Sequence, residues 1–234
     1  MANLQGEARA RYVQAMFGRI AARYDRMNRL MTFGQDMRWR RFVIEKAALP
    51  PDGRLLDLAT GTGDIAFAAL ALAPTLTVVG ADFSLPMMRV GQRRAQGHRI
   101  HWCQTDALAL PYPADTFDAV VSGYLLRNVI DLPACLAEQV RVTRPGGMVV
   151  ALDTTPPPRN ALRPLLLFYL RHVIPLLGRL IAGASDAYTY LPDSTRSFKE
   201  PQELADLMTG AGLLNVRYKT FMFGTMAVHW GQKP

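Results

Sequence analysis

Cysteine is almost absent from this 234-residue chain: Cys103 and Cys135 stand far apart, each without a second thiol near it. That excludes a disulfide framework and any paired-thiol metal spacing, and it suits a reducing cytoplasm. The four histidines, His98, His101, His172 and His229, have no mutual ligand spacing, so no metal site is expected. His101 reads as strand surface, whereas His229 faces either the active-site mouth or solvent. No Gly-x-Ser-x-Gly elbow and no nucleophilic cysteine context occur, which leaves covalent catalysis without support. Nowhere do about 18 apolar residues run without a charge, and the first residues lack the apolar centre of a signal peptide. A soluble or peripheral protein is expected, in the cytoplasm, with contact at the inner face of the membrane left open.

Acids are outnumbered, 19 against 27 basic residues, for a net charge of +8. The excess lies at the front, where ten Lys or Arg up to Lys46 face only Glu7, Asp25, Asp36 and Glu45. Such an excess suits nucleic acid, an anionic membrane surface or a solvated helix face. The arginines are scattered among apolar residues, with no basic groove interleaved with aromatics, so a nucleic-acid partner is not expected.

Half of the residues are hydrophobic, enough for one sizeable α/β domain over 1–234. Val13, Met16, Phe17, Ile20 and Tyr24 recur at helical spacing and predict an amphipathic helix from about Ala8 to Arg26. A second helix follows over about Asp36 to Ala48, so that 1–50 forms covering helices ahead of the sheet. Strands are expected at about Arg54–Leu58, Leu76–Gly80, Arg99–Gln104, Phe117–Ser122 and Met148–Asp153, with helical segments between them. That alternation over 54–155 predicts a parallel sheet with helices on both faces, with ligands bound outside the carboxyl ends of its strands. Residues 156–198 read as an insertion of broken, leucine-rich helices: core packing, an apolar lid for a lipid-like substrate, or a dimer face. Within it, Tyr188 to Ser194 reads as a polar and aromatic loop. A short helix over Pro201–Ala211 and a closing antiparallel pair, Leu214–Lys219 with Thr225–Trp230, complete 199–234.

The chemistry collects at the strand ends. Leu55 to Asp64 is an apolar run ending in Thr60-Gly61-Thr62-Gly63, a turn whose glycines let backbone N–H groups approach a ligand at a helix N-terminus. It matches neither a dinucleotide fingerprint nor a P-loop. Asp82, ending the second strand, is placed to accept both hydroxyls of a ribose, while Ser84 is the better helix cap. Asp106 ends the third strand and suits an adenine amino group, with the backbone of Ala107 beside it. Arg127 and Asn128 follow the fourth strand at the mouth of the sheet. Arg127 is not expected in the core and pairs either with a substrate anion or with Asp131.

Together, Asp57-Leu-Ala-Thr-Gly-Thr-Gly-Asp64, Asp82, Asp106-Ala107 and Arg144-Pro-Gly-Gly147 resemble the class I methyltransferases that use S-adenosylmethionine. More narrowly, Phe17-x-x-Ile20-Ala21-x-x-Tyr24-Asp25-x-x-Asn28, Arg127-Asn128-Val129 and Tyr188-x-Tyr190-Leu191-Pro192-x-Ser194 resemble the quinone-biosynthesis C-methyltransferases acting on demethylmenaquinone or ubiquinone precursors. The resemblance implies a Rossmann-like, mostly parallel seven-stranded sheet with helices on both faces and an antiparallel edge strand. It also implies S-adenosylmethionine held by Tyr24, Asp57, Gly61, Thr62, Gly63, Asp82, Phe83, Asp106, Ala107 and Ser122. Arg127 and Asn128 would stabilise and orient the ring oxygen of an isoprenoid quinol. Two departures, Tyr124-Leu125 in place of Phe-Gly and Asp153-Thr154 in place of Glu-Phe, bear on the acceptor. A methyltransferase for another lipid-like or polyketide acceptor, or a non-catalytic cofactor-binding partner, are the competing expectations, and a homodimer is open.

Overall fold

Seven strands form one sheet; numbered along the chain, their order across it is 3-2-1-4-5-7-6. The computed structural model describes residues 6–179 and 185–234. Its first five strands, β1 (Arg54–Leu58), β2 (Thr77–Asp82), β3 (Ile100–Gln104), β4 (Phe117–Gly123) and β5 (Thr143–Thr154), run parallel. The closing strands, β6 (Leu214–Phe221) and β7 (Met226–Gln232), pair antiparallel, and β7 also pairs antiparallel with β5. The order reverses between β1 and β4, so the crevice expected of a doubly wound sheet opens at the carboxyl ends of these two strands.

Strands this deeply buried read as nearly continuous apolar runs because helices cover both faces. On one face, Trp39 and Val43 of α2 (Asp36–Ala47) and Ala69 and Leu70 of α3 (Asp64–Leu72) pack against Leu55, Val121 and Val150. On the other, Leu136 of α5 (Leu132–Val142) and Leu204 and Met208 of α9 (Pro201–Gly210) pack against Leu56, Val120 and Val149. The short α4 (Leu85–Gln92) follows β2.

A third apolar cluster stands apart from the sheet. Helix α1 (Gly6–Met31) runs five residues beyond its expected end because Met27 and Met31 continue its buried stripe. That stripe meets Leu170 and Ile174 from the broken helix made of α6 (Arg163–Phe168), a π-helical turn (Tyr169–Val173) and α7 (Ile174–Leu177). The expected loop around Tyr190 is helical instead, within α8 (Ser185–Arg196), with Pro192 inside it. Packing overrides the proline's preference, since Pro192 is buried. The expected lid segment 180–184 and the side chains of Tyr188 and Leu191 lie outside the described residues.

Candidate active site

The turn after β1 is built to present backbone. Ala59 and Gly61 both take left-handed φ, 58° in each case, and the Gly63 N–H closes the turn on the Thr60 carbonyl at 2.8 Å. Gly63, at φ 86°, caps α3, and a Cβ there would lie 2.8 Å from Trp102. Its role is close packing behind the loop, whereas Ala59, Gly61 and Thr62 line the cleft. For alanine, the left-handed backbone is a strained choice that surrounding contacts must hold.

Two buried carboxylates flank this turn. Asp57 Oδ2 accepts from the Thr60 hydroxyl at 2.7 Å and the Ala66 N–H at 3.0 Å. Its other oxygen, Oδ1, is buried without a hydrogen-bond partner among the described residues. Burial pushes the Asp57 carboxyl up to about 7, with the neighbouring Asp82 adding to the rise. Burial likewise raises Asp82 to about 6, against backbone N–H groups that favour its charge. Those include Gly61 at 2.7 Å and Ser84 at 2.7 Å, so it is Asp82, not the Ser84 hydroxyl, that holds the entry to α4. An unpartnered carboxylate oxygen in a buried cleft is costly unless a ligand completes it. An α-ammonium group fits that position, which is the test an S-adenosylmethionine site must pass.

From this corner the cleft runs along the strand ends. Asp82, Phe83 and Gly61 line its middle, and Phe83, Asp106 and Ala107 line its far end beside Leu125, Asn128 and Val129. Asp106 Oδ1 accepts from the Leu108 N–H at 2.9 Å, which fixes the turn. Ser122 is buried within β4 and its hydroxyl has no partner among the described residues; the next residues, Gly123 and Tyr124, line the cleft.

Helix α1 is pinned over the same crevice by three side chains, each reaching a different strand-end loop. Asp25 accepts from the Thr62 hydroxyl at 2.6 Å, Gln14 donates to the Phe83 carbonyl at 2.7 Å, and Arg9 donates to the Arg127 carbonyl at 2.7 Å. Burial, and then the charge of Asp64, push the Asp25 carboxyl up. Arg40 of α2 and Arg94 both pair with Asp64 at the first turn of α3. Sequence reasoning placed covering helices here but missed Arg9, Gln14 and Arg40, since polar residues on an amphipathic helix read as solvated.

Beyond Tyr24 and Tyr124 lies a second chamber. These two tyrosines line both the cleft corner holding Asp57 and an apolar cavity walled by Met31, Leu166, Tyr169, Ile174, Pro192 and Met226. Burial raises both phenols, which keeps them protonated donors. Tyr124 has φ 60°, a position where a bulky residue is strained. Its N–H bonds the Leu152 carbonyl at 2.8 Å and its own carbonyl accepts from Asn128 Nδ2 at 2.7 Å.

Arg127 departs from expectation. It is buried, and its guanidinium pairs with Asp153 at the end of β5, not with Asp131, which caps α5 by accepting from the Ala134 N–H at 2.9 Å. An acid at the end of the adjacent strand outcompetes a neighbour already committed to a helix cap. Arg127 lines the apolar chamber, its charge lies 5.0 Å from the centre of the Tyr124 ring, and Nε–H has no partner among the described residues. Asn128 lines the cofactor-side cleft and accepts from the Tyr190 hydroxyl at 3.0 Å. His229 faces neither mouth nor solvent: it is buried, with Nε2 2.8 Å from the Pro201 carbonyl.

Known proteins resemble this chain in sequence and in fold. Over 221 residues the chain is 52% identical to a "Ubiquinone/menaquinone biosynthesis C-methyltransferase UbiE" of Desulfotalea psychrophila, covering 94% of this chain and 90% of that one. It is 44% identical to a "Demethylmenaquinone methyltransferase" of Thermus thermophilus, covering 94% of this chain and 100% of the relative. In fold it resembles a methyltransferase of Thermotoga maritima with a TM-score of 0.63 at 18% identity, over 94% of this chain and 99% of that one. It also resembles a Haemonchus contortus phosphoethanolamine N-methyltransferase solved with S-adenosylhomocysteine, with a TM-score of 0.64 at 14% identity, over 84% and 52%. The ubiE/COQ5 methyltransferase family matches residues 5–233, and the chain belongs to that family.

Proposed function

We infer that this chain is an S-adenosylmethionine-dependent C-methyltransferase of quinone biosynthesis and that its acceptor is demethylmenaquinol. The observation that carries the reading is the meeting of two unlike chambers at Tyr24 and Tyr124, one ending in the unpartnered Asp57 oxygen and the other apolar. When bound, S-adenosylmethionine supplies an electrophilic methyl group, and net transfer to a quinol ring carbon releases one proton.

In this reading Asp57 takes the ammonium of the methionyl end, and Asp82 takes the ribose hydroxyls. Asp106 takes the adenine amino group, with the backbone of Ala107 beside it. Phe83 walls the middle of the cleft, and Gly61 and Thr62 shape the loop. Gly63 and Ser122 act from behind it, through packing. Arg127 turns Nε–H toward the acceptor oxygen and favours its deprotonated form, which makes the adjacent ring carbon nucleophilic; the buried partner Asp153 holds the guanidinium in place. Asn128 fixes the Tyr124 carbonyl, and through it the ring that separates the chambers. Alignment of two reactants in such a site contributes roughly 7–11 kcal/mol. The apolar chamber suits a naphthoquinol ring, and its isoprenoid tail places the work at the inner face of a membrane.

The test is methyl transfer from labelled S-adenosylmethionine to a panel of demethylated naphthoquinols and benzoquinols. Turnover confined to naphthoquinols supports the reading, and cofactor binding without transfer to any quinol overturns it.

A further inference from the structure

Next to chamber-lining residues, Thr32 and Tyr169 on one side and Met222 on the other, the fold holds two aromatic side chains outward at a double cost. Phe33, in the turn between α1 and α2, has φ 53° and is 74% exposed; Phe223, in the turn before β7, has φ 56° and is 70% exposed. A phenylalanine in the left-handed region is strained, and an exposed ring recovers none of that strain by burial. Glycine would meet both turns without strain, so the side chains need another return.

Both turns flank the broken helix over 163–177. Phe33 stacks on Tyr169 at 6.4 Å, and Phe223 shares a groove with Arg159 and Leu162. The inner side of that helix, Leu166, Leu170 and Ile174, lines the chamber, while Leu165, Phe168 and Leu176 on its outer side are more than half exposed. The segment 156–179 carries charge of one sign: Arg159, Arg163, Arg171 and Arg179 are all exposed, and no acid occurs within it. Among the described residues Glu200 is the single acid lining the adjoining groove. Among the described residues no helix is long and apolar enough to cross a membrane.

We propose that this face, centred on Phe33, Phe168 and Phe223 and bordered by the four arginines, docks on an anionic lipid bilayer and opens the chamber toward it. Apolar rings beside a segment that carries four arginines and no acid match the interface of such a surface, where the rings enter the acyl boundary and the guanidinium groups meet phosphate. A chamber whose own wall forms the docking helix lets a long-tailed acceptor enter without crossing water. The proposal rests on the quinol reading above, and its test separates the two.

The full-length chain is floated with vesicles of phosphatidylcholine alone and of phosphatidylcholine with phosphatidylglycerol. Binding is expected only to the second, and it should weaken as salt is raised. The double variant Phe33→Gly/Phe223→Gly should keep its melting temperature, because glycine relieves both turns, yet lose roughly tenfold or more in vesicle partition. Arg163→Glu/Arg171→Glu should lose the preference for anionic vesicles. Phe168→Ser should bind vesicles less well while turning over a tail-less quinol as the parent does. Absence of parent binding, or glycine variants that bind as the parent does, overturns the proposal. So does a parent dimer, seen by light scattering, that becomes monomeric in the glycine variants while neither form binds vesicles. Vesicle binding without turnover of any quinol would leave the docking face standing and remove the acceptor.

Discussion

The cleft along the strand ends and the chamber behind Tyr124 handle buried charge in opposite ways. At the cleft, Asp57 keeps an oxygen without a partner and its carboxyl is driven up to about 7. At the chamber, Asp153 is fully engaged: it accepts from the Arg127 guanidinium, from the Arg127 N–H at 3.3 Å and from the Thr154 N–H at 2.8 Å. An incomplete site spends stability to hold a place for a ligand, whereas a completed pair fixes a cation's position. The two variants that remove these carboxylates should therefore differ in sign.

Asp153→Ala is expected to show the largest effect. It leaves Arg127 buried and unpaired, which costs about 3–5 kcal/mol and lowers the melting temperature of the full chain sharply. Asp57→Asn, by contrast, removes a buried charge whose Oδ1 has no partner among the described residues, and should leave thermal stability equal or higher near neutral pH. A comparable loss in both variants would break the contrast, because Asp57 would then be a structural acid like Asp153.

The same Asp57→Asn variant sharpens the comparison through affinity. A hydrogen bond to a charged group contributes about 1.5–3 kcal/mol, so binding of S-adenosylhomocysteine should weaken by roughly 10- to 150-fold. Calorimetric titration reads this directly. Unchanged affinity would remove Asp57 from the methionyl corner.

The pH dependence of stability follows from the same acids. Asp57 and Asp82 have folded pKa values of about 7 and about 6, above the unfolded carboxylate range. Between that range and pH 7 the native state holds more protons than the unfolded chain, so stability falls as pH rises, and the penalty is complete above pH 7. His229 acts the other way: burial lowers its pKa, and it contributes stability that is lost as pH falls. The measurement is therefore the difference in melting temperature between parent and Asp57→Asn from pH 5 to 8. That difference should widen with pH in favour of the variant, and saturating S-adenosylhomocysteine should close it.

How much of this was legible in the sequence follows the same division. The cleft is built from one continuous turn and from acids that end successive strands, so spacing alone brought Asp57, Asp82 and Asp106 to one edge. The chamber joins α1, the helix over 163–177, α8 and the turn before β7, segments remote in sequence whose polar wall residues carry no local pattern. Thr154, Thr195 and Thr225 line the chamber, yet nothing about them distinguishes a wall from a turn. Arg127 was found as a residue but misplaced, because partner choice between Asp131 and Asp153 is decided by strand register. The three bonds from α1 were invisible for a related reason: helical periodicity identifies the apolar face and says nothing of what the polar face reaches.

The smallest expected effect concerns the contact that ties the two regions together. The Tyr190 hydroxyl, from α8, donates to Asn128 at 3.0 Å, and Asn128 in turn lines the cofactor cleft. Tyr190→Phe keeps the edge-on packing against Tyr12, whose ring centre is 6.0 Å away, and deletes only the hydroxyl. Loss of one neutral hydrogen bond costs about 0.5–1.5 kcal/mol, so melting should shift by only a few degrees. If the bond carries information between cleft and chamber, filling the cleft stabilises α8 through Asn128. Saturating S-adenosylhomocysteine should then raise the melting temperature of the parent more than that of the variant, and KM for the quinol should rise while kcat is held. Equal ligand-induced shifts in parent and variant would mean that the two chambers share a wall at Tyr24 and Tyr124 without sharing a state, since a contact that couples two sites must respond to occupancy of either one.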